Sequence, residues 1–228
     1  AVAASGAGLN GVAALIGAAI GYIISCGLAG SIRYLAAIVL VYTISFAFQD
    51  TKLASKSVFA PATAAVSALS TGILSSFTSV FSQAPAAAVV LIETVFSFGG
   101  CWFFREAMSG RERTTESEEL RYAGSVLITA AVLLMAVSQI EIFGAISLGR
   151  LVAVLIVMTC TLRCGIMTGC TIGTAFGIAM DLTAGGMPFY TMAYAFAGLL
   201  SGMFNRHGRL LFLLSFIIAN AAAVACAW

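Results

Sequence analysis

Charge is what this sequence has least of. Only 9% of its 228 residues are Asp, Glu, Lys or Arg, against about 25% in a soluble globular domain. That scarcity excludes a water-facing surface of ordinary composition. Histidine is nearly absent (His207 alone), and no HExxH, GxSxG or Walker loop occurs. Nothing therefore assembles a nucleophile, a base and an orienting group. The chain by itself is not expected to be an enzyme, and no residue is read as catalytic, cofactor-binding or metal-binding. The six cysteines (Cys26, Cys101, Cys160, Cys164, Cys170 and Cys226) make no CxxC pair of the kind zinc sites use. Lying in or between apolar segments, they read as small hydrophobes. Basic residues exceed acidic ones by only two, 11 against 9, and no basic run is interleaved with aromatics, which argues against nucleic acid. A charged n-region ahead of a short apolar stretch is missing, so no signal peptide is read. The start at Ala1 without a Met suggests a fragment.

What is there is apolar: 61% of the residues are hydrophobic and the mean hydropathy is +1.06. Lipid is the solvent in which outward-facing apolar side chains cost nothing. The fold class expected is all-α, a polytopic transmembrane bundle forming a single integral membrane domain. Nine spans are predicted, at 11–28, 32–48, 58–81, 85–104, 122–140, 148–162, 165–180, 189–204 and 210–228. Crossing ~30 Å of hydrocarbon takes about 20 residues, so 148–162, 165–180 and 189–204 are short and read as tilted partners, half-helices or spans with ragged ends. The 58–81 span is rich in Ser and Thr, whose hydroxyls bond back to their own helix.

With the first span starting inside, Lys52, Lys56, Arg105, Arg111, Arg113, Arg121, Arg163, Arg206 and Arg209 fall on one side, and only Arg33 and Arg150 on the other. The positive-inside rule makes the first set cytoplasmic. Glu141, Asp181 and Trp228 then lie outside, and a cytoplasmic C-terminal domain would need one more helix. The one long connection, 105–121, reads REAMSGRERTTESEELR. Thr115-x-x-Glu118 is a capping-box pattern that starts a helix near Glu116. The loop is either a solvated connector or a docking surface, for which Arg111, Arg113, Glu118 and Glu119 are the candidates.

Gly165, Gly169, Gly173 and Gly177 recur every four residues, which lines them on one helix face and lets a neighbouring backbone approach closely. Ala13, Gly17, Gly21 and Ser25 repeat the pattern, and Gly198 with Gly202 forms a single GxxxG pair. Gly17, Gly21, Gly30 and Tyr34 recur at one offset as Gly173, Gly177, Gly186 and Tyr190, which suggests a helical pair used twice. Glu93 lies well inside the apolar run AVVLIETVFSF. A charge there costs roughly 2.5–3.5 kcal/mol, so Glu93 is either paired or neutral, or it handles protons or a ligand. Arg150 and Arg163 are the partners its depth suggests. Asp181, in DLTAGGMP, sits either at an ordinary outer turn or at a broken helix that binds substrate.

The stretch GLNGVAALIGAAIGYIISCGLAGSIRYLAAIVLVY from Gly8 to Tyr42 resembles the early membrane segments of the stage II sporulation protein E family. So does the run from Ser147 to Arg209, with SLGR, the glycine series and AFAGLLSGMFNRHGR, and so does the EEL of Glu118–Leu120. The resemblance covers nearly the whole chain. It implies a multi-span domain preceding a cytoplasmic PP2C-type serine/threonine phosphatase that uses Mn²⁺ or Mg²⁺. That phosphatase acts on an anti-anti-sigma factor and releases a forespore sigma factor. The membrane part would anchor and assemble the protein at the asymmetric septum of the bacterial cytoplasmic membrane. Its implied partners are lipid, further copies of itself, its own phosphatase domain and cell-division proteins. No Mn²⁺ or Mg²⁺ site carries over, because no aspartate-rich motif is present. The alternative is a small-solute or proton-coupled transporter or channel that uses Glu93 and the Asp181 break.

Overall fold

A computed structural model describes residues 2–5, 8–54, 56–78, 85–110, 115–142, 146–184, 188–205 and 208–227. Nine helices are seen among them: α1 (Val2–Ser5), α2 (Leu9–Ala47), α3 (Phe59–Thr78), α4 (Pro85–Met108), α5 (Glu116–Ser138), α6 (Leu148–Cys164), α7 (Ile166–Ala184), α8 (Phe189–Met203) and α9 (Arg209–Ala227). The only strands among the described residues are β1 (Glu141–Ile142) and β2 (Ile146–Ser147), a two-residue antiparallel pairing between α5 and α6. Leu9–Leu28, Gly30–Ala47, Ala87–Met108, Glu116–Ser138 and Ile166–Ala184 are long and apolar enough to cross a bilayer. Those five stretches mark a membrane protein. At 17 and 15 residues, α6 and α8 are short for the ~30 Å of hydrocarbon.

Where the sequence suggests one membrane domain, the helices group into two compact units, Ala1–Val126 and Leu127–Trp228. In the first, α2 is broken at Gly27, whose φ of 68° and ψ of 170° lie where only glycine sits comfortably. The two arms fold back on each other. Tyr22 and Tyr34 would be ~18 Å apart along an unbroken helix, yet their rings stack at 5.0 Å. The sequence puts this break at 29–31. The chain needs no such loop, because one glycine reverses it. Ala14, Leu15 and Ala18 of the first arm and Ile38 and Tyr42 of the second pack on a core of Val2, Ala3, Val41, Ala60 and Cys101. In α3, where the buried Ser67 hydroxyl has no partner among the described residues, other hydroxyls bond back to their own helix, with Thr71 donating to Ser67 O at 2.8 Å and Ser76 to Gly72 O at 3.0 Å. This satisfies polar groups that lipid cannot.

In the second unit α6 turns into α7 through Gly165, with φ 90° and ψ −172°, the same corner as Gly27. Each corner follows a cysteine, Cys26 and Cys164. Gly165 is therefore a helix corner and not a member of the α7 face. Behind it, the core closes on Val157, Phe176, Met180, Ala193, Ala197 and Ala219. A methyl group at Gly169 would overlap Thr161, and one at Gly173 or Gly177 would overlap the α8 backbone at Tyr194 or Thr191. At Gly198 it would come 2.6 Å from Gly169 O, and at Gly202 2.8 Å from Ile166 Cα. Gly17 and Gly21 differ: both are exposed, and an added methyl there meets nothing within 4 Å.

Candidate functional site

Glu93 stands on α4 in the first unit, and its partner is Arg33. The Arg33 guanidinium donates through Nη2 to Glu93 Oε2, and the Tyr34 hydroxyl donates to Oε1 at 3.2 Å. Arg33 also lies 5.5 Å from the Tyr34 ring centroid, and Tyr34 stacks on Tyr22 with the planes 5° apart. The corner at Gly27 brings both tyrosines together, and Gly72 of α3 makes room. A methyl at Gly72 would fall 2.6 Å from Val90 Cγ1 and 3.0 Å from Arg33 Nη2. Both carboxylate oxygens are thus engaged by one cation and one hydroxyl. Neutralisation by Arg33 offsets the roughly 2.5–3.5 kcal/mol that each charge would cost alone in hydrocarbon. The side chains of Arg33 and Glu93 keep 24% and 29% exposure.

Neither partner suggested by depth is used. Arg150 and Arg163 belong to the second unit, where the Arg150 guanidinium carbon lies 4.7 Å from the Tyr190 ring centroid and Arg163 is exposed in the last turn of α6. The buried Nε of Arg150 has no hydrogen-bond partner among the described residues. Depth along the sequence ranks residues by span. Contact depends on which helices are neighbours, and that was not legible.

Asp181 closes the start of α8. Its Oδ1 accepts from the Tyr190 N–H at 2.8 Å, and its Oδ2 accepts from the Thr191 N–H at 2.8 Å and from the Thr191 hydroxyl. Pro188, the N-cap residue, offers no side-chain cap, so an acid on α7 satisfies the free N–H groups and faces the positive end of the α8 dipole. Residues 185–187, with Gly185 and Gly186, lie outside the described residues. Asp181→Ala should lower stability by about 1 kcal/mol, within the 0.5–2 typical of lost caps, with Asp181→Asn recovering part of the loss. A denaturant titration in detergent measures both; no change in Asp181→Ala would remove the capping role. Asn205, which the sequence did not single out, has a related task, donating from Nδ2 to Leu162 O at 3.1 Å at the end of α6.

Of the candidate docking residues, Arg111 and Arg113 lie outside the described residues, as does His207. Glu118 is half-buried and Glu119 exposed in the first turn of α5, where acids favour the helix dipole. Cys26, Cys101, Cys160, Cys164 and Cys170 are free thiols. Among the described residues no group of three His, Cys, Asp or Glu side chains is arranged to hold a metal ion. No protein-family model, curated protein or solved structure matches the chain.

Proposed function

We propose that this chain is the membrane-embedded anchoring and assembly domain of a sporulation PP2C-type serine/threonine phosphatase that controls sigma factor activation at the asymmetric septum. The observation that carries this reading is the fate of the two acids a transport pathway would use. Glu93 is held by Arg33 and Tyr34, and Asp181 is spent on the α8 N-terminus. Backbone-close contacts at Gly169, Gly173, Gly177, Gly198 and Gly202 suit a rigid anchor rather than a solute path. In this reading nine helices cross the bacterial cytoplasmic membrane with the Lys52–Lys56, Arg105–Arg121, Arg163 and Arg206–Arg209 ends inside. A tenth helix leads to the phosphatase, which alone carries Mn²⁺ or Mg²⁺.

The repeat belongs to the same proposal. Moving Tyr22 and Tyr34 by the 156-residue offset gives 178 and 190, one residue from the approach of Gly177 to Tyr190 and Thr191. That proximity supports a helical pair used twice. Self-association would use the open face of Gly17 and Gly21, and cell-division proteins would meet the cytoplasmic 105–121 connection. The deciding experiment reads the gene past Trp228 and images a fluorescent fusion of its product. One more apolar span, a soluble domain with PP2C aspartates, and fluorescence at the asymmetric septum are expected. A stop codon at that point would sink the anchor reading and put a transporter using Glu93 first.

A further inference from the structure

At the opposite end of the first unit from the ion pair, a cavity of about 290 Å³ opens among α1, the end of α2, the start of α3 and the last turn of α4. Arg105 lies twelve residues beyond Glu93, or ~18 Å along α4. That puts it where the spans Gly30–Ala47 and Ala87–Met108 end and lipid headgroups begin. Its Nη1 donates to Lys56 O at 3.1 Å and Ser57 O at 3.3 Å, so the guanidinium is fixed in the wall by backbone carbonyls. No carboxylate lies within 4.0 Å of it among the described residues. The adjacent acid, Glu106, is taken by Arg121, which donates from Nε at 3.2 Å and Nη2 at 3.1 Å to the same oxygen. Among the described residues the remaining polar lining is Ser5, Ser45 and Gln49, with Phe59 and Ala60 on the apolar side and no acid.

A fixed, uncompensated guanidinium with hydroxyl and amide neighbours matches a phosphate group, whose oxygens accept from an arginine fork. The volume sits at the bottom of the range for ligand pockets, about 300 Å³, which suits a small polar head. We propose that this cavity holds the phosphate group of an anionic phospholipid, the apolar wall at Phe59 and Ala60 leading toward its acyl chains. This goes beyond the anchor reading and needs no phosphatase.

The chain in nanodiscs of mixed phosphatidylglycerol and phosphatidylcholine, released into detergent, is weighed by native mass spectrometry. Phosphatidylglycerol should be retained about fivefold over its bulk ratio, the enrichment expected from one basic residue at the headgroup level. Arg105→Gln should return retention to the bulk ratio, and Arg105→Lys should keep part of it. Arg121→Gln, which changes an arginine already occupied by Glu106, should leave it intact. If Arg105→Gln fails to fold, Gln49→Ala gives the same reading. Equal retention in the wild type and these cavity variants would overturn the proposal. Loss of the retained lipid on adding millimolar inorganic phosphate would make free phosphate the ligand and overturn the lipid assignment.

Discussion

Gly177→Val should unfold the α7–α8 pair or cost at least about 3 kcal/mol, while Gly21→Val should leave folding within about 0.5 kcal/mol of the wild type. Both residues lie in helices and both belong to four-residue glycine series, so sequence alone ranks them equally. Their surroundings do not. A Cβ at Gly177 would overlap the Cα of Thr191 and the carbonyl of Tyr190. Those atoms are backbone, and Asp181 pins the same two residues through their N–H groups. Side-chain overpacking costs about 1–3 kcal/mol because rotamers can move; a pinned backbone cannot. Leaving glycine recovers at most about 1 kcal/mol of helix propensity, so steric overlap decides the sign. At Gly21 nothing lies within 4 Å, and exposed changes without partners stay small. Denaturant titration in detergent measures both variants. Equal losses at both positions would mean that the α7–α8 contact has no special standing. Gly21→Val has a second readout: if copies associate through this face, cross-linking between chains should fall while folding stays unchanged.

The contrast between these glycines marks where sequence reading stops. The regular spacing of Gly169, Gly173 and Gly177 was visible because a helix maps period four onto one face. What covers that face is a tertiary fact. The corners at Gly27 and Gly165 were hidden for a related reason. A reversal made by a single glycine leaves no polar loop, and polar loops are how span ends are recognised in apolar sequence. Asp181 was legible as an acid near a turn, and its role followed only once α8 was seen to begin at Phe189 beside Tyr190 and Thr191. Five of the expected spans, by contrast, were legible from hydropathy and coincide with helices long and apolar enough to cross a bilayer, since lipid sets the length a crossing helix needs.

The second large effect is expected at the ion pair. Arg33→Gln should destabilise by about 3 kcal/mol, Glu93→Gln by about 1–2 kcal/mol, and the double variant by less than Arg33→Gln alone. The asymmetry comes from depth. Arg33 is three residues inside Gly30–Ala47 and Glu93 six inside Ala87–Met108, roughly 4.5 and 9 Å. A stranded arginine with its long side chain snorkels to the interface, whereas a stranded glutamate is shorter and deeper. The quarter exposure of both side chains holds these figures at or below the lower end of the roughly 3–5 kcal/mol of fully buried pairs. Removing both charges leaves no stranded ion, so the double variant should lose only about 1–2 kcal/mol, and the double-mutant cycle should return a coupling of about 3 kcal/mol. Additive single effects would mean that Arg33 and Glu93 do not act on each other in the bilayer. The same Glu93→Gln variant separates the two functional readings. An anchor held by its helices keeps septal localisation and signalling once a neutral amide replaces the acid, because Tyr34 can still donate to the amide oxygen. A proton-coupled pathway loses its only acid in this apolar run, and transport should fall to background.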